Sequence, residues 1–299
     1  MTIVAPESSS TRRAYMFLGM SLAVGAVAFT FVKVALEELS PMNLAAGRVV
    51  TSALAYVAIV LAQPHRRTPL QRRDRFLVLA QGFGGSAGFH VLFQVGLQYS
   101  TVAVAAVVMA TFPVLVAAGE VMFLDHRLQR HHVIGLLLTV GGCSVIGLAS
   151  GNDGASTWWG VLAIGSSTLV WAAVTVASRS VAHRYDSWWL STPGTVLGAV
   201  AMLALQSPHL GQFADLSLRG WLLVVWLGVA SSAFVYFAYN RALSVIPATS
   251  VSAISTVVTP TSVMVAWLVL GDSPTLVEVL AGVVVLGGVV LSTRPERAT

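Results

Sequence analysis

Charge is scarce in this chain. Asp, Glu, Lys and Arg make up 10% of its 299 residues, where a soluble domain carries about 25%, so there is too little polar side chain to clothe a water-facing globule. Cysteine is scarcer still. The single Cys143 excludes an intrachain disulfide, and its place after Gly141 and Gly142 in an apolar run suits small-residue helix packing. The sequence also has no phosphate-binding glycine loop, no HExxH pattern and no nucleophile elbow. Nucleotide hydrolysis, zincin chemistry and serine-hydrolase chemistry therefore have no visible carrier, and no cofactor is expected.

What the chain has in abundance is long apolar runs. They cover 15–36, 44–62, 76–99, 102–124 and 133–149, then 158–179, 188–205, 220–242, 248–270 and 275–291. At about 1.5 Å per residue, each crosses most or all of a hydrocarbon layer of about 30 Å, where a helix satisfies its own backbone groups. The expected fold is thus an all-α integral membrane protein with ten transmembrane helices. Arg12 and Arg13 followed by Ala26-Val27-Ala28 could also read as a signal peptide. Against that, the apolar run continues to Val32, and losing it would leave nine helices.

The net charge of +5 does not point to nucleic acid, because the basic residues fall in alternate connections. Fourteen of the seventeen lie at Arg12, Arg13, Arg66, Arg67, Arg72, Arg73, Arg75, Arg127, Arg130, Arg179, Arg184, Arg241, Arg294 and Arg297. This is positive-inside asymmetry. It makes both termini cytoplasmic and turns the connections bearing Glu37, Glu38, Asp153, Asp215 and Asp272 outward.

The two halves echo one another. A shift of 147 sets Pro113 on Pro260, Asp125 on Asp272, Gly135 on Gly282 and Gly141 on Gly288, while a shift of 146 sets Gln94 on Asn240. Five runs is an odd number, so the second half must enter the bilayer from the opposite side, as in the inverted repeats of many secondary transporters. The expected organisation is a cytoplasmic tail over 1–14, repeats over 15–149 and 158–292, a linker over 150–157 and a tail over 293–299.

Three stretches carry a family resemblance. They are "ALEELSPMNLAAGR" at 35–48, "GLQYSTVAVAAVVMATFPVLVAAGEVMFLD" at 96–125 with "GLLLTVGGCSVIGL" after it, and "ALSVIPATSVSAISTVVTPTSVMVAWLVLGD" at 242–272 with "AGVVVLGGVVL" after it. Together with "WAAVTVASRSVAHRYD" at 171–186 they resemble the two EamA repeats of the drug/metabolite transporter superfamily. The resemblance implies a ten-helix carrier of the bacterial inner membrane. Its cavity would be lined by helices one to four and six to nine, with helices five and ten outside. The chain departs from the family in carrying Asp125 and Asp272 where a Glu is usual.

Ionisable and polar groups inside the runs are the candidate functional residues, since a mid-bilayer charge costs at least about 2.5 kcal/mol. Lys33 and Arg48 lie near the outward ends of helices one and two, as a cationic pair for a substrate carboxylate or phosphate, or as snorkelling partners of Glu37 and Glu38. Glu120 is a candidate for proton coupling, or an interfacial partner of Arg127 or Arg130. His90, Gln94 and Gln98 form a four-residue stripe on helix three, with Tyr236 and Asn240 at the equivalent places on helix eight. Such a face lines a midplane site or glues helices. Trp171 and Tyr56 are candidate aromatic walls. Pro113 and Pro260, near mid-helix, each free a backbone carbonyl and bend the chain, as a hinge or a static kink. Glu278 and the Asp272-Ser273-Pro274 sequence read as helix capping. His126, His131 and His132 cluster without the carboxylate or cysteine that would complete a metal site.

The function expected is secondary transport, and export, of a metabolite, amino acid or drug-like compound by alternating access. The partners are the lipid bilayer and a small-molecule substrate; a homodimer is compatible with these features. The alternatives are an intramembrane enzyme acting on a lipid-linked substrate and a non-transporting sensor or scaffold.

Overall fold

The computed structural model describes residues 9–63, 68–100, 108–124, 129–149, 157–270 and 275–293, and the regular structure among them is entirely helical. In the first half, α1 is Ser9–Ala35, α2 is Pro41–Ala62, α4 is Phe112–Phe123 and α5 is Arg130–Ala149. Between α2 and α4, α3 runs through Arg72–Phe83, a π-helical Gly84–Gly88 and Phe89–Gln98. In the second half, α6 is Trp158–Val181, α7 is Ser187–Gln206 and α10 is Leu276–Ser292. Here α8 runs through Leu218–Trp226, a π-helical Leu227–Phe234 and Val235–Leu243, and α9 through Ala248–Ser255 and Val258–Leu270. Among the described residues seven helices are long and apolar enough to cross a membrane; the apolar helices over Phe112–Phe123, Arg130–Ile146 and Leu276–Ser292 are shorter. The apolar surface faces outward, as lipid requires: Phe76 is 82% exposed and Leu268 75%.

The helix α1 begins six residues ahead of its apolar run, at Ser9, so Arg12 and Arg13 are helical and exposed. A helix that leaves the hydrocarbon gains nothing by unwinding at once, because its basic side chains reach the headgroups directly.

The packing is two-fold. Helix α1 packs on α8 and α9 as α6 packs on α3 and α4, α2 packs on α8 as α7 packs on α3, and α2–α7, α4–α9 and α5–α10 are self-paired. Each self-paired set runs antiparallel. Asn43 at the start of α2 meets Gln206 at the end of α7, and Glu120 late in α4 meets Ala248 at the start of α9. Gly135 early in α5 abuts Gly288 and Ser292 late in α10. Equivalent helices of the two repeats are therefore inverted, and the two π-helical segments fall at equivalent places under the shift of 146.

One end of the bundle is rich in arginine, with Arg72, Arg73, Arg75, Arg130, Arg179, Arg184 and Arg241. The other end holds Glu37, Glu38, Ser217 and Arg219. A clasp joins the repeats at each. At the arginine-rich end the Gln71 N–H donates to the Tyr185 hydroxyl (3.2 Å), which donates to Asp74 (2.6 Å), and Arg184 pairs with Asp74 at 3.0 Å. At the far end the N–H and hydroxyl of Ser217 donate to Glu38 (3.0 and 2.8 Å), while Arg219 reaches Glu37 at 3.7 Å. Gln71 and Ser217 are equivalent under the shift of 146. The first clasp is buried at Asp74 and the second is exposed.

Candidate functional site between the repeats

A buried polar network crosses the repeat interface on the arginine-rich side. Its hub is Gln81 on α3, 1% exposed. The Gln81 Nε2 donates to the Leu190 carbonyl (3.0 Å), and its Oε1 accepts from Ser178 (2.8 Å) and from the Tyr236 hydroxyl (2.6 Å). Asn240, one turn beyond Tyr236, donates to the Ser191 hydroxyl at 2.9 Å and is fully buried, with its Oδ1 unpaired. The Tyr56 hydroxyl donates to the Ala233 carbonyl at 2.8 Å, and the Tyr56 ring meets Trp188 edge-on. Five helices are thus joined by uncharged groups, an arrangement that specifies helix packing where the hydrophobic effect cannot.

Small residues allow this closeness. A Cβ on Gly82 would lie 2.6 Å from the Gly194 Cα, so α3 and α7 meet backbone to backbone. A Cβ on Gly85 would lie 2.8 Å from the Tyr236 hydroxyl and 3.2 Å from Trp171. Trp171 is the centre of an aromatic group, with Phe89, Tyr236 and Tyr239 at centroid distances of 5.4, 5.7 and 5.8 Å.

Arg48 lies nearer the far end. Its Nη2 reaches the hydroxyls of Ser231 and Ser232, both at 3.4 Å, on the π-helical part of α8, and its buried Nε has no partner. Glu37 and Glu38 are engaged with Arg219 and Ser217 instead. His90 is within electrostatic reach of Arg48. Of the expected polar face, Arg48 thus reaches the π-helical part of α8, Tyr236 and Asn240 join the network around Gln81 and Ser191, and Trp171 packs against Tyr236. The side chains of Lys33, Gln94 and Gln98 lie outside the described residues.

Glu120 is buried at the end of α4 and clasps the start of α9. It accepts from the N–H groups of Ala248 (2.7 Å) and Thr249 (2.6 Å) and from the Thr249 hydroxyl, a carboxylate set on the positive end of a helix. Arg179 stands within electrostatic reach of it and donates to the Leu243 carbonyl at 2.6 Å.

The prolines sit just beyond helix breaks. Turns at Ala110–Thr111 and Thr256–Val257 precede Pro113 and Pro260, placing each in the first turn of the helical piece that follows. The Thr256 carbonyl, denied its partner by Pro260, accepts from the Thr259 N–H at 3.0 Å.

Cys143 is buried among Ala110, Ile146, Ala281 and Val285, and Glu278 closes a capping box with Thr275. Both are away from the interface groups. His131 and His132 have ring centroids 4.2 Å apart; His126 lies outside the described residues, as do Asp125 and the Asp272-Ser273-Pro274 sequence. Among the described residues no group of three or more His, Cys, Asp or Glu is placed to hold a metal. A cavity of about 460 Å³ beside α5 and α10 is lined by Val145, Leu148, Ala149, Thr275 and Val277; it is apolar and holds none of the candidate residues.

Sequence reasoning overlooked Gln81, Ser178 and Ser191. A glutamine in an apolar run was the available signal.

The chain resembles proteins named as transporters along nearly its whole length. It is 26% identical to "Uncharacterized transporter YdfC" of Bacillus subtilis, over 92% of this chain and 89% of that one. It is 24% identical to "Probable terminal-alkyne amino-acid exporter" of Streptantibioticus cattleyicolor, over 94% of each. A solved structure titled "Crystal structure of protein" superposes with a TM-score of 0.80 at 21% identity, over 94% of this chain and 96% of that one. The model of the EamA-like transporter family matches twice, at 13–148 and 158–294. Two matched repeats, an all-helical bundle and an inverted pairing of equivalent helices converge: this multi-pass membrane protein belongs to the EamA-like transporter family.

Proposed function

We propose that this chain exports a small organic solute across the bacterial inner membrane by alternating access, with both termini in the cytoplasm. The observation that carries the mechanism is the pair of equivalent clasps at opposite ends of the repeat interface, Gln71–Tyr185–Asp74–Arg184 and Ser217–Glu38. In an inverted repeat each clasp closes one side, and releasing one while keeping the other alternates access. The positive-inside asymmetry supports a cytoplasmic arginine-rich end. A relative named as an exporter supports the outward direction.

In this scheme Arg48, Tyr56, His90, Gln94, Trp171, Tyr236 and Asn240 line or border the substrate path, joined by Lys33 from α1. Glu120 couples closure of the cytoplasmic end to the ion gradient or exchange that drives transport, and the breaks ahead of Pro113 and Pro260 are hinges.

The test compares metabolite levels in the medium of cells with and without overexpression, followed by flux of the enriched compound in proteoliposomes. Enrichment outside, with flux that needs the protein, is expected. Flux equal to that of empty liposomes for every enriched compound would overturn the proposal.

A further inference from the structure

We propose that the substrate carries a carboxylate which Arg48 binds, beside an apolar or aromatic body. The proposal deepens the transport reading and rests on it for the word substrate, but the binding site it describes is testable alone.

Arg48 is seven residues into α2 from Pro41, about 10 Å along the helix axis. There a guanidinium needs acceptors, because burying its charge without them is costly. Other arginines of the chain find a strong one: Arg184, whose Nε is also without a partner, meets the Asp74 carboxylate at 3.0 Å, and Arg179 donates to the Leu243 carbonyl at 2.6 Å. Arg48 has two serine hydroxyls at 3.4 Å, the long limit of a hydrogen bond, and its Nε–H has nothing. Among the described residues no carboxylate pairs with it; Glu37 and Glu38 are bound across the far end.

The backbone brings the two serines there by design. Gly228 in the π-helical part of α8 packs on α2, where a Cβ would lie 2.9 Å from the Arg48 carbonyl and closer still to Thr51. This contact has a counterpart in the other half, Gly82 against Gly194, and under the shift of 146 the residue equivalent to Arg48 is Gly194 itself. The fold therefore closes its second such crossing with no charge at all, so the guanidinium is not a requirement of packing. It is an addition to one end of a pseudo-symmetric interface.

A single planar guanidinium with neighbouring hydroxyls fits one carboxylate through paired N–H donors. A phosphate dianion would call for more cationic donors than the described side chains around Arg48 show. The body of the ligand is set by what lies next along α3: Phe89 precedes His90, stacks on Phe93 at 5.6 Å and meets Trp171 at 5.4 Å. Rings in that arrangement take an apolar or aromatic group in preference to a sugar or a polyol.

The experiment uses the purified full-length protein in detergent, with binding of phenylacetate, phenylacetamide and phenethylamine measured by equilibrium dialysis. These share one ring and differ in the charge of the head. Phenylacetate is expected to bind about tenfold or more tighter than the other two. Arg48→Gln should abolish that preference, and Arg48→Lys should keep part of it. Equal binding of acid and amide, preference for the amine, or no binding of any probe overturns the proposal, and so does an unchanged preference in a monodisperse Arg48→Gln. The wild-type comparison needs no variant to fold. A parallel efflux assay from liposomes loaded with phenylacetate separates the two readings: selective binding without flux sustains the carboxylate site and counts against transport, whereas flux of the amide or amine without selective binding does the reverse.

Discussion

The hydroxyl of Tyr236 donates to the Oε1 of Gln81 at 2.6 Å, tying the late part of α8 to the early part of α3 across the repeat interface. Tyr236→Phe removes one of two donors to that oxygen and is expected to cost about 1 kcal/mol. Gln81→Leu leaves the Ser178 hydroxyl without its Gln81 acceptor, leaves the Tyr236 hydroxyl only the main-chain carbonyl of residue 81 (3.1 Å) and removes the side-chain donor to the Leu190 carbonyl, and should cost roughly 2 kcal/mol or more. Thermal unfolding in detergent checks the order; a Gln81→Leu protein as stable as Tyr236→Phe would contradict it.

Gly194→Ala puts a methyl group onto the backbone of Gly82 and Phe83, which forces α3 and α7 apart. Membrane abundance should fall steeply, and the protein that survives should admit thiol reagents to a cysteine placed at Ser178. Gly141→Ala is the control: a Cβ there meets nothing within 4 Å, so abundance should change little.

Glu120→Gln keeps the size of the side chain but offers one acceptor oxygen to donors that now use two, and turns an amide N–H₂ toward Ala248 or Thr249. A loss of about 2 kcal/mol or more is expected, because these hydrogen bonds go to a charged group. A Glu120→Gln protein with wild-type unfolding behaviour but altered dependence on the ion gradient would assign Glu120 to coupling instead of clasping.

The far-end clasp should respond to acid. Hydrogen bonds from the Ser217 backbone and then its hydroxyl hold the Glu38 carboxyl below its ordinary 4.5. A folded-state value below that of the free group means the ionised tie is fully present above pH 4.5 and fades as pH falls through the lower value. Cross-linking between cysteines at Leu36 and Leu218 should therefore hold constant from about pH 7 to 5 and loosen only below. Glu38→Gln should remove the pH dependence; loosening that begins near pH 6 would implicate another group.

The all-helical membrane fold is legible because lipid leaves a chain few choices, and the inverted repeat because Pro113 and Pro260, and Gly135 and Gly282, survive as matched marks. Arg48 stood out as a charge in the wrong solvent. Gln81 did not, and the π-helical Gly84–Gly88 is the reason. On an uninterrupted helix Gln81 and His90 lie about 180° apart, but one inserted residue reduces that to about 80°. A four-residue stripe through His90 therefore does not reach the glutamine that holds the interface. Glu37 and Glu38 were open to pairing with the cations nearest in sequence, yet they answer Arg219 and Ser217. That pairing depends on which helix of the other repeat arrives beside the α1–α2 turn, and no local pattern records it.

The α5–α10 seam has a consequence for which parts can travel. Its contact runs backbone on backbone: a Cβ on Gly135 would lie 2.6 Å from the Gly288 carbonyl, and one on Gly142 would lie 2.9 Å from that of Ala281. A junction this close, filled by short or branched side chains such as Thr139 and Val285, leaves little room for long side chains to swing into new rotamers. In the alternating-access scheme proposed above it would serve as the fulcrum, and the levers would be the helices with π-helical or broken stretches, α3, α4, α8 and α9. On that scheme the glycines of this pair would matter less for what passes through the protein than for keeping two counter-rotating arms on one axle.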